Sequence, residues 1–351
     1  MKKSGWIGLS ILVGMNCGCA PRASSQRTPA RMDPQFLASD VDPQRAALPL
    51  EQIEPVPAAP PASTPPAPLA KRSATQLAAA ERLLAEQRYA DAAAELEKAL
   101  RYDPNHPLLH RMLATIAWSA GNLEAVRTHA GRAIELNPND VTAYYLLGRA
   151  AAADGRVEDA IREYRLALVA SPIEAAPGGA ALAHYYLAGQ LDAAGYLSAA
   201  LSEYRAYERI VQALSGEQIQ KSPDLGTLVT ANGGTAGEPV SLILERLGRF
   251  NEAAAALAEI MARSAPGDAL RARYARLLSR AGRHSEALAE ARKILDNDQL
   301  AVELLLELHE RAGNRGAALN DLRAMQAAQP DRALLARALA DALLDAHQPE
   351  E

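Results

Sequence analysis

Val141–Glu174 reads VTAYYLLGRAAAADGRVEDAIREYRLALVASPIE, two helical patterns joined at Gly155 and closed by Pro172. Proline closes the two preceding segments at the same place, as Pro104 and Pro138, so the period is 34 residues. A period of that length belongs to helix–turn–helix units, which cannot bury their own apolar faces and must stack on one another. Aligned on these prolines, the first three copies begin at Ser73, Pro107 and Val141. Small residues recur at the eighth position (Ala80, Ala114, Gly148), at the twentieth (Ala92 and Ala160, with Val126 the exception) and at the twenty-seventh (Ala99, Ala133, Ala167). Two helices packed face to face leave no room there for a long side chain. Leu147, Val157 and Tyr164 supply the large apolar groups of the third copy, and Gly155 sits at the turn, where positive φ costs a glycine little.

The turn glycines carry the pattern onward. Gly195, Gly248, Gly282 and Gly313 place four further copies at about Ala181, Gly234, Asp268 and Gln299. Their eighth and twentieth positions read Ala188 and Ala200, Ser241 and Ala253, Ala275 and Ala287, Leu306 and Ala318, of which only Leu306 departs badly. These residues resemble the tetratricopeptide repeat family from Ser73 to about Pro330. The resemblance implies an all-α fold, a right-handed α-solenoid of about seven repeats. A generic alanine-rich bundle would show helical periodicity without the fixed long period. The tryptophan common at the family's fourth position is absent, and Gly237 takes it in the fifth copy, so that repeat's first helix is expected to begin late. Asp331–His347, apolar at Leu334, Leu335, Leu339, Leu343 and Leu344, is expected to be the helix that caps the array. Two insertions interrupt the period. Ala175–Ala180 separates the third and fourth copies, and Ser215–Gly234, rich in Gly, Ser, Thr, Asn and Pro, reads as an exposed loop that is either functional or disordered.

At the N-terminus, Lys2 and Lys3 precede an apolar run, Trp6–Met15, too short to span a bilayer and of the length of a secretory signal. It ends in Asn16-Cys17-Gly18-Cys19-Ala20, which resembles a bacterial lipobox, with Asn16 where leucine is usual. That resemblance implies a signal peptide over residues 1–18 and lipid on Cys19, Cys17 fitting less well because it follows Asn16. Conventional cleavage after Ala20 is the alternative, with Pro21 following the cut. Ala20 in place of an aspartate implies the outer membrane, with the repeats in the periplasm, in envelopes of the proteobacterial type. Residues 19–72 then comprise the anchor site and a linker, holding seven prolines between Pro55 and Pro68. Extended at about 3.1 Å per residue, such a linker carries the repeats on the order of 100 Å from the anchor.

The net charge is −5, and loss of Lys2 and Lys3 makes it more negative, which opposes general nucleic-acid binding. Both cysteines lie at positions 17 and 19, so the repeats can form neither disulfides nor thiolate metal sites. Gly233-Gly234-Thr235-Ala236-Gly237 lacks the lysine of a phosphate loop, no HExxH occurs, and His309-Glu310 reads as a helix-surface pair. Nothing in these residues calls for an enzyme, a cofactor or a metal.

What remains is a groove. In the resembled family the first helix of each repeat lines a concave surface through its second, fifth, ninth and twelfth positions. Here those positions give Arg111, Thr115 and Trp118, then Tyr145 and Arg149, then Tyr185, and Arg276 in the sixth copy. An extended peptide or an amphipathic helix fits such a strip, its carboxylates meeting the arginines. The other reading of the tyrosines is packing between repeats, as expected of Tyr144 and Tyr164. The family's carboxylate clamp is a poor match, since Glu81, Thr115 and Arg149 stand where it has asparagines. The expectation is a lipid-anchored scaffold that organises other envelope proteins. Alternatives are an assembly factor for pili, secretion channels or outer-membrane proteins, an unanchored secreted protein, or a ligand sensor built on Ser215–Gly234.

Overall fold

Each 34-residue segment folds as a helical hairpin, and among the described residues seven hairpins follow one another. The computed structural model describes residues 41–53, 57–61, 66–173, 175–263, 266–294 and 298–328, with Pro330 and five isolated positions up to Asp341. Cys17, Cys19 and all of residues 1–40 lie outside the described residues. Two short helices come first, α1 (Pro43–Ala47) and α2 (Leu50–Ile53). The hairpins are α3 (Lys71–Ala85) with α4 (Tyr89–Leu100), α5 (Pro107–Ser119) with α6 (Leu123–Leu136), and α7 (Val141–Ala153) with α8 (Val157–Ala170). The fourth pairs α9 (Pro177–Ala193) with α10 (Leu197–Ala213). It is followed by two short helices, α11 (Gly216–Gln220) and α12 (Pro223–Asn232). The array resumes with α13 (Gly237–Arg246) and α14 (Phe250–Arg263), α15 (Asp268–Arg280) and α16 (His284–Ala291), and α17 (Asp298–Arg311) and α18 (Arg315–Ala328). Among the described residues there is no strand.

The small residues do what their spacing predicts. Ala80, Ala114, Ala188 and Ala275 at the eighth position, and Ala92, Ala160, Ala200 and Ala253 at the twentieth, are fully buried between paired helices. Gly148 is tighter still, because a Cβ there would lie 2.6 Å from the ring of Tyr164. Leu306 is the exception. A leucine cannot enter an alanine-sized slot, so it stays 36% exposed while Leu304 and Leu305 are buried instead.

Each of the seven turns closes in one way. In the third hairpin Gly155 N–H donates to Ala152 O and Arg156 N–H to Ala151 O, the paired bonds of a Schellman motif, with Gly155 at φ +73°. Gln87 takes this place in the first hairpin, at φ +61°, and Arg88 N–H still reaches Leu83 O. A side chain in that region is strained, and Gln87 is exposed, so no contact repays it. Gln87→Gly is therefore expected to stabilise the protein by roughly 1 kcal/mol in urea unfolding. An unchanged midpoint would mean that the first turn opens before the rest.

Four sequence expectations change. Ala175–Ala180 is not an excursion, because Pro177 starts α9 and the extra residues lengthen that helix. Ser215–Gly234 is not a loop. Ser215 caps α11 through a reciprocal box with Gln218, and Pro223 at the first turn starts α12. Part of the segment read as linker folds too: Asp42 accepts from the Gln44 and Arg45 amides to begin α1, whose Ala46 is buried. Arg45 stacks 4.9 Å over Tyr196 and donates to its hydroxyl at the α9–α10 turn. His309 is no surface residue either, being 4% exposed and bonded to Asp321, which Arg292 also engages through both carboxylate oxygens. Burial alone would raise the Asp321 carboxyl, but Arg292 and His309 hold it below its ordinary range. The late start of the fifth repeat is observed, with α13 beginning at Gly237. Of the expected cap, Ala333, Ala336, Arg337, Ala340 and Asp341 are helical and exposed, and its leucines lie outside the described residues.

Candidate functional site

The first helices of the second, third and fourth hairpins carry a continuous aromatic run. Trp118 at the end of α5 is half-buried, and the Arg149 guanidinium of α7 lies 4.0 Å over its ring. The same guanidinium is 5.4 Å from the Tyr145 ring and 5.3 Å from that of Tyr186 on α9. From there the rings continue, Tyr145 to Tyr186 at 5.7 Å, Tyr186 to Tyr185 at 5.6 Å, and Tyr185 to Tyr207 of α10 at 5.0 Å. Offset and edge-on contacts of this kind add to the burial of the rings themselves. Burial pushes the phenols of Tyr145 and Tyr164 well above their ordinary range, and that of Tyr207 up to about 12. All three are neutral near pH 7, and the Tyr145 and Tyr207 hydroxyls donate to Asp224 and Asn232.

The inserted helix α12 lies on this run. Asp224, in its first turn, accepts from Arg149 Nη1 at 2.9 Å and from the Tyr145 hydroxyl at 3.3 Å, while Arg149 also donates to that hydroxyl at 3.1 Å. At the other end Asn232 exchanges hydrogen bonds with the Tyr207 hydroxyl. Leu225 between them is fully buried, close to Gly178, whose missing side chain lets Ser222 and Leu225 approach. Burying one leucine is worth roughly 2 kcal/mol. The Arg149–Asp224 pair adds at most about 1 kcal/mol, because the Asp224 side chain is 50% exposed. A cavity of about 360 Å³ remains beside the C-terminal end of α12, lined by Tyr185, Asn232, Glu238, Ile260 and Arg263 among others.

The residues expected to line the groove divide. Trp118, Tyr145 and Arg149 come together, and Tyr185 joins them through Tyr186. Tyr145, expected to face solvent, is only 3% exposed, because Tyr186, Tyr164 and the insert cover it. Thr115 is exposed one turn before Trp118, its hydroxyl bonded to Arg111 O. Arg111 pairs instead with Asp140 at 3.4 Å, the residue that caps α7. Arg276 is elsewhere: it pairs with Glu307 of the next hairpin at 2.8 Å and belongs to the joint between repeats. Asp224, Leu225 and Asn232 were not among the expected residues, although Ser222-Pro223-Asp224 is a readable helix start. Among the described residues no cluster of three or more His, Cys, Asp or Glu side chains is arranged to hold a metal ion, and no helix is long and apolar enough to cross a membrane.

Sequence profiles of the tetratricopeptide repeat match residues 83–129 and 127–180. No curated protein matches the chain. Among solved structures, Naa15/Naa10 bound to HypK-THB superposes with a TM-score of 0.47 at 16% identity, covering 78% of this chain. This chain spans only 39% of that one. PilF of Pseudomonas aeruginosa superposes with a TM-score of 0.42 at 12% identity, over 77% of this chain and 98% of that one. A tetratricopeptide repeat protein of Parabacteroides merdae gives 0.40 at 14% identity, over 78% and 100%.

Proposed function

Starting from its membership of the tetratricopeptide repeat family, matched at residues 83–129 and 127–180, we propose that this chain is a scaffold that takes a peptide or helix of another protein along its first helices. We propose further that it works in a bacterial envelope, held by lipid on Cys19 at the outer membrane with its repeats in the periplasm, and that its partners are other envelope proteins. The observation that supports the binding role is the Trp118–Arg149 stack. A large aromatic ring is held partly exposed against a guanidinium at 4.0 Å, with exposed Thr115 one turn away. Tryptophan and arginine side by side at a surface are the side chains on which interfaces concentrate their binding energy. What supports the location is the sequence alone, Lys2-Lys3, the apolar run and Gly18-Cys19.

The two parts are tested separately. Mass spectrometry of the mature N-terminus is expected to find diacylglycerol on Cys19 in the membrane fraction. An unmodified N-terminus at Pro21 in the soluble fraction would dismiss the anchor. A photo-reactive side chain at Thr115 is expected to capture the partner in the native host, while the same group at Arg162, exposed on α8, captures little. Equal capture from both faces would dismiss the groove.

A further inference from the structure

We propose that α11 and α12 are a displaceable internal occupant of the groove, and that the partner enters as a helix presenting a carboxylate and then a leucine-sized side chain in its first turn, in place of Asp224 and Leu225. This rests on the groove reading above and adds what the groove recognises and what first holds it.

The insert is not required by the repeat. Elsewhere a few residues join one hairpin to the next, as between Leu136 and Val141, whereas here the chain leaves α10 at Ala213 and re-enters the array only at Gly237. In that interval it packs α12 on α9 and sets Asp224 on Arg149 of α7, a helix of a hairpin already completed. Charge and shape therefore select this seat. Arg149 Nη1 and the Tyr145 hydroxyl converge on one carboxylate oxygen, and Gly178 leaves the space that Leu225 and Ser222 use. An incoming carboxylate needs the same donors, so partner and insert exclude one another.

The seat is also shallow. From Gly216 to Asn232 only Leu225 is fully buried, with Ile219, Leu228 and Val229 partly so. The two helices have 5 and 10 residues, too short to hold themselves in water. The segment ends on Gly233 and Gly234, both at positive φ, a backbone that glycine leaves and re-enters freely. Segments of this kind open without unfolding the molecule around them.

In the full chain, amide hydrogen exchange across residues 216–232 is expected to run about 100-fold faster than across α7 and α9. Exchange at the α9 rate would make the insert a fixed wedge and overturn the proposal. The second test uses the Trp6→Phe chain, in which Trp118 is the only tryptophan, with residues 215–234 replaced by a Gly/Ser linker of equal length. A synthetic peptide of residues 215–234 is expected to bind it and shift Trp118 emission, about tenfold more tightly than it binds the chain that keeps its insert. The same peptide carrying Asp224→Asn is expected to lose most of that affinity. Loss of folding in the linker variant, or equal binding by both chains, would overturn the proposal. Finally, Gly178→Cys with Ser222→Cys places two thiols close enough to lock the insert down when oxidised. Capture from Thr115 is expected to fail in the oxidised chain and return on reduction. Equal capture in both states would overturn the occupant while leaving the groove intact. No capture in either state, with the peptide binding as expected, would overturn the groove's partner alone.

Discussion

Replacing Tyr145 by alanine is expected to lower the unfolding free energy by about 3–5 kcal/mol, the loss found when a large buried ring is removed and its cavity stays open. The ring is 3% exposed and touches those of Tyr164 and Tyr186, which would each lose a packed face. Tyr145→Phe keeps the ring and removes only the hydroxyl that joins Arg149 to Asp224, so it is expected to cost about 1 kcal/mol. Urea unfolding of both variants decides the matter. A stable Tyr145→Ala protein with a specific loss of partner binding would show that the ring is exposed in the working state and acts as a groove anchor.

Trp118→Ala is expected to do the reverse. Loss of a partly exposed ring stacked on Arg149 is expected to weaken partner binding by roughly 2 kcal/mol, a factor of about thirty, with a smaller effect on stability. Arg149→Lys is a useful companion, since it keeps the charge for a carboxylate but gives up the planar guanidinium that lies on the indole. Titration of the captured partner by calorimetry, against thermal melts of the same samples, separates the two roles. A Trp118→Ala variant that binds normally would move the interface away from the second and third hairpins.

The hairpins were legible because they depend on local, repeated constraints. The positive-φ turn and the alanine-sized contacts recur at fixed offsets, and any one copy reports on the others. Gly148 shows how literal this is, since its lack of a side chain is matched by the ring of Tyr164. The insert was not legible because its composition is that of a loop and its start signals, Ser215-x-x-Gln218 and Ser222-Pro223-Asp224, each govern only one or two turns. What fixes it is contact with residues far earlier in the chain, Leu225 beside Gly178 and Asp224 on Arg149 75 positions back, which no local pattern contains. Tyr145 was misplaced for a related reason. Its offset faces outward on a bare repeat, but Tyr164 of its own hairpin and Tyr186 of the next cover the ring, and the insert, which lies outside the period, takes its hydroxyl. Arg276 failed differently: the offset was right, but Glu307 of the next hairpin already takes the guanidinium. The helices α1 and α2 are shorter than any periodicity can register, and only Asp42-Pro43 hints at them.

The seat of α1 on the α9–α10 turn decides where load enters the molecule. Were Cys19 the fixed point, as proposed above, the leash would run only from there to Val41, at most roughly 75 Å even at full stretch. Tension along it would be received by Arg45 and Tyr196, in the middle of the array. The first three hairpins, Trp118 among them, would then bear none of it directly. Nor would the prolines after Ile53, which follow α1 in the chain and precede α3. Pulling α1 from its seat would transfer the load to α3 and lengthen the leash by the residues from Val41 to Ala70, giving the same protein two working distances from one fixed point.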